Sequence, residues 1–288
     1  MKNYLSLVKF SHTIFALPFA LTGFFIAYTE QDGNVPIRVF IGVVLCMVFA
    51  RSAAMAFNRW LDRDIDAQNP RTTQREIPAG VISPSAALTF VVINCLLFIV
   101  TCWFLNPLCF YLSPVALAVV LGYSYTKRFT WLCHFVLGLG LALAPVGAYL
   151  AVRESFGMAS IWYGLAVLFW TAGFDIIYAL QDEDFDKSLQ LHSVPTWLGT
   201  AKSLRLSEWL HLGTAALLVL GTSAVQSSLP HETGWLLWIG TGLFLSLLFY
   251  QHTLVRPNDL SKVNLAFFTT NGIASLVFGS LAILDLLL

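Results

Sequence analysis

Charged side chains are scarce in this sequence: Asp, Glu, Lys and Arg make up 11% of its 288 residues, against about 25% in a typical soluble domain. The chain is also 57% hydrophobic with mean hydropathy +0.73. It carries apolar runs of roughly twenty residues, which excludes an ordinary soluble domain. Net charge is missing too. Sixteen basic and sixteen acidic groups cancel, so no polyanion-binding surface is implied and nucleic acid is not an expected partner. Cysteine motifs are lacking. Cys46, Cys95, Cys102, Cys109 and Cys133 form no CxxC pair and have no accompanying His, and they read as small polarizable core residues. No secretory signal is expected, because the run after Lys2 and Lys9 is too long for a signal core.

What the sequence does contain is helix after apolar helix. The pattern predicts an all-α, polytopic membrane protein of one domain over 1–288, crossing at 11–29, 37–60, 84–104, 107–125, 131–151, 159–181, 208–226, 233–253 and 263–287. Pro36, Pro84, Pro107 and Pro257 fall at helix starts, where the missing N–H costs nothing, and Ser83 reads as an N-cap. Pro18, Pro114 and Pro145 lie inside apolar runs and predict kinks that neighbouring helices tolerate. Thirteen of the sixteen Lys and Arg fall on one side of the bilayer, Arg38 and Arg153 on the other, and Arg51 within the second helix. By the positive-inside rule the thirteen-bearing side is cytoplasmic.

The scarce charges are concentrated in two stretches. Asn58–Gly80 holds Asp62, Asp64, Asp66, Glu76, Arg59, Arg63, Arg71 and Arg75, and Asp175–Asp186 repeats the pattern half a chain later. Asp62-x3-Asp66 closes the second helix and Asp182-x3-Asp186 the sixth. The chain therefore reads as two similar four-helix halves plus one helix, with a site between the halves. At about 100° per residue, Asn58, Asp62 and Asp66 share one helix face, as do Asp175, Asp182 and Asp186. Facing carboxylates repel and call for a cation. An oxygen-only donor set favours a hard ion such as Mg²⁺. Arg71 and Arg75, spaced to share a face, and Lys127 and Arg128 on the next loop add bases that suit a diphosphate.

Asp175 lies two turns inside an apolar helix, where an acid is costly and functional by default. Arg51 shares the face of Asn58 and either binds an anionic group of a second substrate or serves as counter-ion to Asp175. Tyr123, Tyr125 and Tyr178 sit near the site, as core packing or as an aromatic lining for a cationic intermediate. Two histidines complete the set: His12 reads as a helix-start residue, and His192 lies in the loop after the second acidic stretch. A secondary transporter with Asp175 and Arg51 on an ion path is the rival reading, although most of the acids gather at one face beside arginines rather than at mid-membrane.

NRWLDRDIDAQNPRTTQREIPAG is similar to the first aspartate-rich motif of the UbiA superfamily of intramembrane prenyltransferases, and DIIYALQDEDFDKSLQLHSVPTWLG resembles the second. YSYTKRFTW resembles the family's Tyr–Lys–Arg segment after helix four. The resemblance runs from the first helix to about residue 200. One departure is Arg75-Glu76-Ile77-Pro78, where the family often has Arg-Pro-Leu-Pro. The resemblance implies nine helices around a cavity and Mg²⁺-dependent transfer of a polyprenyl chain from its diphosphate to an aromatic ring, the bilayer admitting the lipid tail sideways. It implies that Asn58, Asp62, Asp66, Asp182 and Asp186 bind Mg²⁺–diphosphate, and that Arg71, Lys127 and Arg128 hold the diphosphate, with Arg75 an addition to that group. Asp175, as base or acceptor-orienting group, lies deeper with Arg51, and Tyr178 is assigned with Arg51 to the acceptor. SHTIFALPFA and HSVP resemble the branch that prenylates a naphthoate on the futalosine route to menaquinone. The 4-hydroxybenzoate branch leading to ubiquinone shares the core motifs, and both acceptors stay open. The DGxxAR motif of the CDP-alcohol phosphotransferases is missing. A bacterial inner membrane with a cytoplasmic active site is the expected location.

Overall fold

The computed structural model describes residues 2–8, 15–228 and 234–288; His12 and the expected start of the first helix at 11 lie outside them. Inside a bilayer every backbone N–H and C=O must find a partner within the chain, which leaves helices as the workable element for runs this apolar. Among the described residues the long helices are α1 (Leu17–Thr29), α2 (Ile37–Leu61), α3 (Pro84–Leu105), α4 (Pro107–Thr126), α5 (Cys133–Arg153), α6 (Met158–Ala179), α7 (Thr200–Ser228), α8 (Trp235–Leu254) and α9 (Asn271–Leu287). Among the described residues, seven segments are long and apolar enough to cross a membrane, those containing α2 to α7 and α9.

The helices form a ring. Helix α2 packs on α3 and α4, then α4 on α5, α5 on α6, α6 on α7, α7 on α8 and α8 on α9, and α1 closes the ring between α9 and α5. Helix α6 is the most enclosed. Its fully buried Trp170 and Tyr163 meet Phe19 of α1, Phe244 of α8 and Phe278 of α9, with ring centroids 5.1–6.0 Å apart. Three seams are tight enough to require glycine. A Cβ on Gly23 of α1 would fall 2.2 Å from Pro145 O of α5, one on Gly138 of α5 2.4 Å from Leu168 O of α6, and one on Gly279 of α9 2.4 Å from Pro18 Cβ of α1. Close backbone approach of this kind is how membrane helices gain dispersion contact without a hydrophobic driving force.

Ser83 caps α3 as expected, its Oγ accepting from Ala86 N–H at 3.2 Å. Pro114 and Pro145 lie within α4 and α5. Pro18 does not lie in a helix interior: it is in the first turn of α1, where its fixed φ suits helix initiation. Helix α7 starts eight residues before the expected 208, because Lys202, Arg205 and Glu208 continue it as a polar segment beyond the apolar run. Before α9, Leu265–Thr270 forms a π turn. Asn271 Nδ2 donates to the carbonyls of Ala266 and Phe267 there, and its Oδ1 accepts from Trp170 Nε1 at 2.8 Å.

Candidate active site at the two acidic stretches

Each acidic stretch is a broken helix. Helix α2 ends at Leu61, Asp62 takes φ −91° and ψ 5°, and a short helix Arg63–Gln68 follows. Helix α6 ends at Ala179, passes through a 3-10 turn Leu180–Asp182 and resumes as Glu183–Ser188. The expectation of one continuous helical face through each motif is therefore corrected: both long helices turn at an aspartate, and the second aspartate of each pair rides on a new short helix.

The breaks aim the carboxylates at bases. Asp62, 2% exposed, pairs with Lys127 Nζ at 2.7 Å and Arg128 Nη2 at 2.9 Å. It also accepts from Asn58 Nδ2 at 3.3 Å, and Asn58 reaches Ser124 Oγ at 3.4 Å. Asp66, 4% exposed, accepts at both oxygens from Arg75 Nη1 at 2.8 Å. Asp182 takes two hydrogen bonds from Arg71, through Nε at 3.0 Å and through Nη2, while Arg71 Nη1 donates to Tyr178 Oη at 2.7 Å. Asn69 Nδ2 also donates to Asp182 at 3.2 Å, and Asn69 Oδ1 accepts from the Arg71 N–H. Asn69 and Arg71 thus tie the first stretch to the second. Asp186 lies within Coulombic reach of Lys127, Asp182 and Arg71. Burial alone would lower the Arg71 pKa, but its hydrogen bond to Asp182, with Tyr178 and the Asp182 charge, outweighs that and raises it.

Behind this mouth lies a cavity of about 350 Å³ between α2, α3, α4 and α5, its wall including Arg51, Met55, Tyr123, Phe98 and Gly147. Tyr123 lines the cavity beside Ser124, which Asn58 reaches at the mouth. Cys46, Cys102 and Cys109 also line the cavity, with 3.7 Å between the sulfurs of Cys46 and Cys102. Among the described residues, no three His, Cys, Asp or Glu side chains converge as a metal site.

The UbiA prenyltransferase family matches residues 16–273. The chain belongs to the UbiA prenyltransferase family. It is 32% identical over 259 residues to the 4-hydroxybenzoate octaprenyltransferase of Aliivibrio fischeri strain MJ11, covering 87% of this chain and 85% of that enzyme. It is 28% identical over 282 residues to the enzyme of that name from Photobacterium profundum, covering 98% and 96%. Among solved structures, a UbiA homolog from Aeropyrum pernix K1 in its apo form is 30% identical with a TM-score of 0.83, over 95% of this chain and 98% of that one. A UbiA homolog from Archaeoglobus fulgidus bound to GPP and Mg²⁺ shares the fold at 20% identity and a TM-score of 0.76, over 99% and 100%.

In this UbiA-family prenyltransferase several details depart from the expected arrangement. Arg71 and Arg75 do not share a helical face: residues 69–80 form turns after Pro70, sending Arg71 to Asp182 and Arg75 to Asp66. Tyr178 stands at the mouth against Arg71 and stacked on Phe267 at 4.1 Å, whereas Arg51 lines the cavity. Asp175 has His134 Nδ1 as its hydrogen-bond partner, at 2.6 Å. The unusual Glu76 is accounted for by an ion pair with buried Arg59 at 3.1 Å. Sequence reasoning missed Asn69, Ser124 and His134. Asn69 sits inside the first motif beside Pro70 and was open to notice as a turn residue. His134, forty-one positions from its partner, carries no local signal.

Proposed function

We propose that this prenyltransferase moves a polyprenyl chain from its diphosphate onto an aromatic acid, 4-hydroxybenzoate or a dihydroxynaphthoate, in ubiquinone or menaquinone biosynthesis, with Mg²⁺ as cofactor. The observation carrying the reading is the bridge from Asn69 and Arg71 to Asp182, which gathers both acidic stretches and their bases around one mouth next to an apolar cavity. The name 4-hydroxybenzoate octaprenyltransferase, shared by relatives 28–33% identical, favours the first acceptor. The GPP and Mg²⁺ of the Archaeoglobus homolog suggest the ligands.

The donor chemistry fits the metal, although in this structure the carboxylates are paired with bases and, among the described residues, do not converge. Every donor is a carboxylate oxygen, suited to a hard divalent ion, and Asp62, Asp66 and Asp182 each carry a basic partner that a diphosphate can take over. Asp62, Asp66, Asp182 and Asp186 would hold Mg²⁺, which when bound neutralises charge on the leaving diphosphate. Asn58, Arg71, Arg75, Lys127 and Arg128 bind the diphosphate and stabilise the charge that grows on it as the allylic C–O bond breaks. The cavity walls keep water from the prenyl cation. Arg51 pairs with the acceptor carboxylate, and Asp175 orients the acceptor or takes the proton its ring gives up. The reading places one domain over 1–288 in a bacterial inner membrane, with the mouth cytoplasmic by the Lys and Arg bias.

The test is a membrane assay with a prenyl diphosphate, Mg²⁺ and each acceptor in turn. Asp62→Ala and Asp182→Ala are expected to abolish transfer while the protein still accumulates in membranes, and chelation by EDTA to silence the parent. Full activity of either variant at saturating Mg²⁺ would sink the diphosphate-site assignment.

A further inference from the structure

Asp175 and His134 form a pair that the proposed reaction leaves half explained. His134 is the second residue of α5 and its side chain is 3% exposed, while Asp175 on α6 keeps 23% exposure. The imidazole Nδ1 lies 2.6 Å from Asp175 Oδ2, and its Nε2 accepts from the backbone N–H of Val194 at 3.2 Å. An amide N–H can only donate, so Nε2 presents its lone pair and the proton sits on Nδ1, directed at the carboxylate. One oxygen of Asp175 is thereby held by His134.

Val194 belongs to a segment fastened at three successive points. The His192 N–H donates to Lys127 O at 2.7 Å, the Cys133 thiol donates to His192 O at 3.6 Å, and the Val194 N–H reaches His134. Lys127 in turn pairs with Asp62. A continuous set of contacts therefore runs from a base at the mouth to the acid inside the membrane. A histidine that only filled core space would have no need of an acid placed within an apolar helix.

We propose that His134 is a positioning residue for the acceptor: it fixes the rotamer of Asp175, and the 192–194 segment fixes His134. This rests on the reading of Asp175 as the acceptor-side group. The experiment measures steady-state kinetics in nanodiscs with geranyl diphosphate, Mg²⁺ and 4-hydroxybenzoate as probes. His134→Leu is expected to lower kcat/KM for the acceptor about 10- to 100-fold, the range for one hydrogen bond to a charged group. The KM for geranyl diphosphate stays within about twofold, since that site is held by other contacts. His134→Asn, whose amide stands in for Nδ1–H, recovers most of the loss. His134→Gln, which reaches only the Nε2 position, does not, and this pair carries the contrast if the leucine variant fails to accumulate. Asp175→Asn shows a comparable loss, and adding His134→Leu to it costs nothing further. Full activity of Asp175→Asn overturns the reading of Asp175 and this proposal with it. An impaired Asp175→Asn beside a fully active His134→Leu, or asparagine no better than glutamine, overturns the role of His134 alone.

Discussion

Replacing Gly138 with alanine is expected to unfasten the seam on which the acceptor side depends. The new Cβ would stand 2.4 Å from Leu168 O and 3.2 Å from Leu168 C and Cα, where ordinary contact begins at 3.4 Å. The obstacle is α6 backbone, which has no rotamer to change, so α5 and α6 must part locally by about 1 Å. His134 lies one turn before Gly138, and its bond to Asp175 starts at 2.6 Å. Opened by the same amount, it reaches about 3.6 Å and ceases to be a hydrogen bond. Overpacking of this kind costs about 1–3 kcal/mol, offset by up to about 1 kcal/mol of helix propensity gained on replacing glycine. Gly242→Ala on α8 isolates that gain, since nothing lies within 4 Å of its Cβ. Thermal unfolding of both variants in one detergent, with turnover measured well below the transition, separates the effects. Gly138→Ala should melt below the parent and lose acceptor turnover even where it is folded, while Gly242→Ala should melt at or above it. A Gly138→Ala protein as stable and active as the parent would refute the packing argument.

Two further substitutions probe mouth and cavity. Arg71→Lys replaces two bonds to Asp182 and one to Tyr178 by one mobile point charge. With the Arg71 side chain 34% exposed, the loss is discounted to about 1.5–2 kcal/mol. That predicts a kcat/KM for prenyl diphosphate about 10- to 30-fold lower with an unchanged acceptor KM, and an equal loss for both substrates would contradict it. Gly147→Phe puts a ring into the cavity from a position with nothing within 4 Å of its Cβ. Turnover of long prenyl diphosphates should fall well before that of a ten-carbon donor, and a uniform decline across chain lengths would show that the chain lies elsewhere.

The legible part of this protein was whatever stood out chemically from its surroundings. Asp62, Asp66, Asp182 and Asp186 are conspicuous because charge inside or beside an apolar run is expensive, and helix ends followed from where the apolar runs stop. Geometry beyond one helix was not legible. Arg71 and Arg75 were counted along a helix that Asn69 and Pro70 prevent, and the turn at Asp62 hides in a sequence with good helix formers on both sides. Helix α7 was cut short because Lys202, Arg205 and Glu208 resemble a loop by polarity, although they suit a helix leaving the bilayer. His134 acquires meaning only when α5 and α6 are packed, since its partners, Asp175 and Val194, lie 41 and 60 residues away.

The glycine seams around α1 bear on the order of assembly. That helix has Gly23 seated on Pro145 of α5 and Pro18 seated on Gly279 of α9. Ribosomes deliver α1 before either partner: Pro145 emerges more than a hundred residues after Gly23, and Gly279 more than two hundred residues after Pro18. Until then α1 has only lipid or passing neighbours to lie against, and the ring closes when the last helix arrives. Contacts of such sequence separation are slow to form, so the step that seals the barrel of helices is also the one most exposed to interruption. A chain shortened before Gly279 would leave α1 without one of its two seats, and damage to α9 would be felt at residue 18.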